Sequence, residues 1–213
     1  NNLFSMRRGR LSIAAMPSFA SSLLPDTLVH YRRQHPNIDI AVQDVVAENV
    51  VDMVRTGRVE IGVSFDPGEY DDLHFEVLFE DNFFVAVPKQ HVLTQKNKIR
   101  LQDLQAFPFI VLQRPSSIRQ LIEAATLACD IKLTIAVEAY QLASIGSMVA
   151  SGLGISVVTS LTVNQMQSLG VKCRPLAGNK ISRNVGIITR HKIQLSAPAT
   201  AMRQTLLNQV TAP

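Results

Sequence analysis

The chain has 213 residues, 46% hydrophobic and 18% charged, enough for one large domain or two small ones with a real core. These proportions exclude a disordered, collagen-like or coiled-coil chain. The net charge of +4 comes from Lys and Arg spread along the chain. Only MRRGR, at 6–10, is densely basic, so no nucleic-acid footprint is expected in its body.

RLSIAA (10–15) reads as a strand, and helical spacing of Phe19, Leu23, Leu24, Leu28 and Tyr31 predicts one helix over 18–36. Ser18 or Ser21 would cap it, with Pro25 tolerated near its first turn. A strand is expected at 37–45 and a helix at 47–57, with Val50, Val51 and Val54 inward and Gly57 as its stop. VEIGVSF (59–65) is a third strand. FFVAVP, within 79–93, is a strand leaving this lobe. The order then returns, with strands at 107–113, 132–139 and 154–160 and helices at 116–129 and 140–152. NVGIITRH (184–191) is a strand after the second lobe. The tail 196–210 is helical, with Met202, Leu206 and Val210 on one face.

At an offset of 95 residues, Ile40, Ala41 and Val42 match Ile135, Ala136 and Val137. Met53, Val54 and Gly57 match Met148, Val149 and Gly152 at the same offset. Identity and βαβαβ order together predict two similar lobes with a ligand cleft between them. The expected division is 1–9 as the end of a linker, 10–87 plus 190–213 as one subdomain, and 88–189 as the other. Gly152 then closes a helix rather than opening one, which argues against a phosphate-binding loop. No charge occurs from Ala139 to Val171, but Gln141, Ser144, Ser147, Ser151, Asn164 and Gln165 interrupt the stretch. It reads as a buried helix, turn and strand rather than a membrane span.

Cys129 and Cys173 are far apart and outside any metal-ligand spacing, so both read as free thiols of a reducing compartment. Residues 1–10 have no apolar run of a secretory signal. No metalloprotease, nucleophile-elbow, P-loop or EF-hand pattern occurs, and neither enzyme activity nor a cofactor or metal is expected.

What remains is helix starts, whose unpaired N–H groups suit anions. Ser18 stands at the first and Ala47 at the second. Gln113, Arg114, Ser116 and Ser117 open the second lobe. A guanidinium beside hydroxyls suits a small carboxylate, while Ser116 as a plain cap and Arg114 as a surface charge is the equal alternative. Phe19, Phe65 and Tyr140 complete the candidate ligand contacts.

GRLSIAAMPSFASSLLPDTLVHYRRQHPNIDIAVQD (9–44), VVDMVRTGRVEIGVSF (50–65), FFVAVPKQHVL (83–93) and MVASGLGISVVTS (148–160) together resemble the effector-binding domain of LysR-type transcriptional regulators. The resemblance covers about 9–210. It implies an α/β fold of two Rossmann-like βαβ subdomains, of the type 2 periplasmic-binding-protein kind, joined by two crossover strands. It implies a small effector in the interlobe cleft, with Ser18 matching a frequent polar residue. Ala47 falls where a Thr or Ser is common and Thr159 where a Pro is common. It further implies a homodimer or homotetramer, paired through helices near 22–35 and 141–152. DNA would be bound only through an N-terminal helix-turn-helix that these residues lack, NNLFSMRRG resembling the linker that follows it. A cytoplasmic protein with no membrane association is expected. The alternative is a periplasmic-type solute-binding protein.

Overall fold

A computed structural model describes residues 9–114, 116–177 and 181–210. The expected linker at 1–9 lies outside them except for Gly9, as do Met6, Arg7 and Arg8 of the basic patch. The chain forms two compact units, one running to Glu80 and resuming at Arg183, the other Asp81–Ser182. The boundaries fall within two long strands, whereas the division drawn from the sequence falls near the far ends of the same strands.

The first unit begins with β1 (Gly9–Ala15), α1 (Pro17–Ala20), α2 (Leu24–Gln34), β2 (Ile38–Asp44), α3 (Ala47–Arg55) and β3 (Ile61–Phe65). β4 (Leu73–Val87) carries the chain onward, while β10 (Ser182–Arg190) and α7 (Ala197–Val210) complete the unit. The sheet order is β2-β1-β3-β10-β4. β1 is parallel to β2 and β3, with Ile13 opposite Val42 and Ile61, and β10 is antiparallel to β3.

The single helix expected over 18–36 is two. Pro25 lacks an N–H, so a helix can contain it only in its first turn. α2 accordingly restarts at Leu24, with Pro25 at its beginning. The hydroxyls of Ser21 and Ser22 bond back to the carbonyls of Pro17 (2.8 Å) and Ser18 (2.6 Å), which closes α1. Neither Ser18 nor Ser21 is its N-cap, Ser21 standing instead at the C-cap. Met16 holds the N-cap position and makes no side-chain cap bond.

The second unit contains β5 (Ile99–Arg100), β6 (Pro108–Leu112), α4 (Ser117–Ala128), β7 (Thr134–Ala139), α5 (Leu142–Ala150), β8 (Ser156–Thr159), α6 (Val163–Ser168) and β9 (Lys172–Ala177). β6 is parallel to β7. β8 joins β6 through Ile110 N–H to Ile155 O (2.8 Å) and Ile155 N–H to Pro108 O (2.9 Å). The latter half of β4 is antiparallel to β8 and β9. The order β7-β6-β8-β4 thus repeats β2-β1-β3-β10, three parallel strands followed by one antiparallel. The predicted duplication is a topological fact.

These central strands read as unbroken apolar runs because both faces are covered. Val85, Phe109, Val111 and Val157 point into one cluster with Ile122 of α4. Their neighbours Ala86, Ile110 and Val158 point into another with Ile145 and Val149 of α5. Gly57 and Gly152, paired by the repeat, share one geometry. Their φ values are +72° and +84°. Gly57 N–H bonds to Val54 O and Arg58 N–H to Met53 O; Gly152 and Leu153 do the same with Val149 and Met148. Both are helix stops, with one N–H bonded five residues back and the other three back.

Candidate functional site

In each unit the parallel strands end at one edge, and helices start there. In the first unit, Val45 N–H bonds to Ala15 O (3.2 Å), Met16 N–H to Val63 O (3.0 Å) and Asp66 N–H to Asn184 O (2.9 Å). This seam gathers Ser18, Ala47 and Phe65. Ser18 is buried in α1 just past β1, and Ala47 is the first residue of α3, where the Ser64 hydroxyl lies 3.5 Å from its carbonyl. Phe65 ends β3 with its ring buried, and Phe19 is wholly within the core. Glu48, in the first turn of α3, has Oε2 buried without a hydrogen-bond partner among the described residues.

The sequence reading missed one residue at this edge. Arg183, at the start of antiparallel β10, has its guanidinium carbon 5.8 Å from the centre of the Phe65 ring. Its Nη2 donates to Asp66 O at 3.0 Å. An aromatic face under a guanidinium is favourable for the cation. Nothing local in ISRNVG signals this, because the contact depends on β10 returning antiparallel to β3.

The second unit's edge is built alike. Gln113 follows β6, with N–H to Ala139 O (3.0 Å), and its Oε1 is buried and unpaired among the described residues. Ser116 is the N-cap of α4, its oxygen accepting from Arg119 N–H at a long 3.5 Å, and Ser117 is the first helical residue. Of the two readings of Ser116, the cap is the one with a bond on display. Arg114 faces solvent, and its Nη2 meets both oxygens of Glu123 at 3.0 and 3.1 Å. Tyr140 follows β7 and is 77% exposed.

Asp81 of β4, bonded to the residue that follows β8, is fully buried. Its Oδ1 accepts from Ser160 N–H at 3.0 Å and from the Ser160 hydroxyl. Burial pushes this carboxyl above the usual carboxylate range, and the bonds from Ser160 offset only part of that. Both cysteines are free thiols. No group of side chains among the described residues could hold a metal, and none of their helices is long and apolar enough to cross a membrane.

The model of the LysR substrate binding domain matches residues 5–211. The chain belongs to that family. It is 26% identical over 208 residues to the HTH-type transcriptional regulator YfeR of Shigella flexneri, covering 96% of this chain and 66% of the relative. It is 29% identical over 180 residues to the transcriptional activator protein LysR of Escherichia coli, covering 81% and 56%. The chain thus spans between about half and two thirds of the length of such relatives. Its fold is that of the QuiR effector-binding domain solved with shikimate, at TM-score 0.85 and 16% identity over 94% of this chain and 96% of that one. The CcmR regulatory domain of Synechocystis PCC6803 with 2-PG gives 0.87 and 18%, over 96% and 98%. This LysR substrate-binding domain is therefore an α/β protein of the type 2 periplasmic-binding kind, as the family resemblance implies and in agreement with its repeat.

Proposed function

We propose that this domain is the sensor of a cytoplasmic LysR-type transcriptional regulator, taking a small anionic effector at its strand-end edges. The reading is of sensing, not turnover. DNA would be read by a helix-turn-helix outside this sequence, within a homo-oligomer. Family membership favours this over a transport-type solute-binding protein. The observation that carries the anion is Arg183 lying over Phe65, on the edge that also holds Ser18 and the N-terminus of α3. There a guanidinium, a hydroxyl and helix N–H groups serve one negative group.

At the second edge the contacts are Gln113, Ser116, Ser117 and Tyr140, with Arg114 as an outer charge already matched by Glu123. Phe19 and Ala47 shape the first edge through packing and backbone. An effector changes the regulator only by binding its two arrangements unequally. Calorimetry with a panel of small carboxylates and phosphates, shikimate included, tests the reading. Arg183→Ala should weaken the binder by tenfold or more and Arg114→Ala by less than threefold. A panel binder unaffected by Arg183→Ala, Ser18→Ala and Gln113→Ala would refute the assignment.

A further inference from the structure

The two units treat their first long helix differently. In the first, α7 covers α2: the Tyr31 hydroxyl donates to Pro198 O at 3.1 Å, and Thr27 meets Gln209. In the second, the counterpart α4 leaves Leu127 81% exposed, and the edge strand β7 leaves Ile135 44% exposed. Between α4 and the β6–β7 pair lies a cavity of about 360 Å³. Ile118, Ile122, Ile131, Leu133, Ile135 and Val157 make its apolar lining.

A crossover helix runs opposite to the strands it joins, so the first turn of α4 shares an end with the C-termini of β6 and β7. A closed charge cluster seals that end. Arg119, with a side chain 5% exposed, binds Glu123 at 2.8 Å and reaches across to Glu138 of β7 at 3.0 Å. Its Nη1 also donates to Leu112 O at 3.3 Å. Arg114 completes the cluster on Glu123. Two guanidinium groups balance two carboxylates. At the other end stands Lys132, exposed and without a carboxylate partner among the described residues. Residues 119 to 127 of a helix span about 12 Å.

We propose that this groove is a second ligand site, for a small amphipathic carboxylic acid. Its apolar body lies along α4 and its carboxylate meets Lys132. The volume is within the range of small-molecule pockets, roughly 300–1,000 Å³. Apolar burial supplies the affinity, and Lys132, the one uncompensated charge of the lining among the described residues, sets the direction in which the molecule enters. The apolar groove and Lys132 lie away from the strand-end edge of this unit, which it meets only at the Arg114–Glu123–Arg119–Glu138 cluster that closes it, and the proposal does not rest on the effector reading.

The test titrates the domain, methyl-labelled at Ile, Leu and Val, with sodium octanoate and separately with octan-1-ol. Octanoate should shift the Ile118, Ile122, Ile131 and Leu133 methyls saturably and bind at least fivefold more tightly than the alcohol. Lys132→Gln, at an exposed position, should remove that preference. Ile135→Trp should weaken both ligands by tenfold or more. If Ile135→Trp disturbs the fold, Lys132→Gln still decides. Equal binding of acid and alcohol to the native domain overturns the proposal. So do shifts confined to residues near Ser18 and Gln113, or absence of saturation. Self-association that Ile135→Trp abolishes would show a second copy on this face, and would overturn it too.

Discussion

Gly152 and Gly154 lie two residues apart in VASGLGISVV, yet the structure gives them different reasons to be glycine. A Cβ on Gly152 would meet nothing within 4 Å, but its φ is +84°. An L-residue in the left-handed region costs about 1–2 kcal/mol, partly offset by about 0.4–1 kcal/mol from a stiffer unfolded chain, so Gly152→Ala should cost about 1 kcal/mol. Gly152→Asn should cost about half of that, since Asn adopts this region more readily. A Cβ on Gly154 would lie 2.5 Å from Pro108 O, well inside the 3.4 Å where ordinary contact begins, and 3.3 Å from Ile110 Cγ1. Pro108 O also accepts the Ile155 N–H at 2.9 Å, one of the bonds that join β8 to β6. The clash is with backbone inside a sheet, so no rotamer relieves it. Gly154→Ala should cost about 3 kcal/mol, the upper part of the overpacking range. The chain has no Trp, so urea unfolding followed by far-UV circular dichroism is the assay. If Gly154→Ala costs no more than Gly152→Ala, the close-approach argument is wrong. If Asn at 152 is as costly as Ala, the φ argument is wrong.

Other expected outcomes rest on single groups. The Asp81 carboxyl is raised in the folded state, so the native protein holds its proton to higher pH than the unfolded chain. Stability contributed there is present in acid and falls as pH rises through the folded value. Asp81→Asn should flatten that fall, which begins near pH 4, in urea midpoints, and an unchanged slope would dismiss Asp81 as its source. Burial pushes the Cys173 thiol up to about 11, leaving about one thiolate in a thousand at pH 8. Cys173 should stay unmodified by iodoacetamide, read by peptide mass spectrometry, until urea unfolds the second unit, whereas Cys129 should react first. Ser116→Ala, losing a 3.5 Å cap bond, should cost about 0.5 kcal/mol. A loss of effector affinity much beyond that would show the hydroxyl touching ligand.

Much of the fold was legible because it was written in short-range patterns. The apolar runs at 10–15 and 59–65, the inward Val50, Val51 and Val54, and Gly57 with its copy Gly152 specify strand, helix and stop locally. What escaped lies where the pattern is weak. α6 buries only Met166 among polar neighbours. The first half of β4 carries Glu76 half-buried, Glu80 exposed and Asp81 buried, so alternation was diluted by charge. The candidate site was legible in position and not in charge. Helix starts at Ser18, Ala47 and Ser116 follow from topology, whereas Arg183 comes to Phe65 only through an antiparallel return from far along the chain.

That difference decides which arginine an anion should prefer. In sequence, Arg114 beside Ser116 and Ser117 looks like the anchor. In the structure Glu123 takes it from both oxygens, and a carboxylate ligand would have to displace an existing one in a solvent-exposed place, where such exchanges gain little. Arg183 is half-buried on an aromatic ring, with a backbone carbonyl rather than a carboxylate as the partner seen at Nη2. Its charge is stronger toward a third group because less water screens it. Arg183→Lys separates the two contributions. Lysine keeps the charge but loses the planar, ring-stacking fork. If the anion needs only charge, the substitution should leave calorimetric affinity within threefold; if it needs the fork over Phe65, affinity should fall tenfold or more, as for Arg183→Ala. A variant that binds as well as the native domain after Arg183→Ala would place the anion elsewhere on the edge, with the N–H groups of α3 alone.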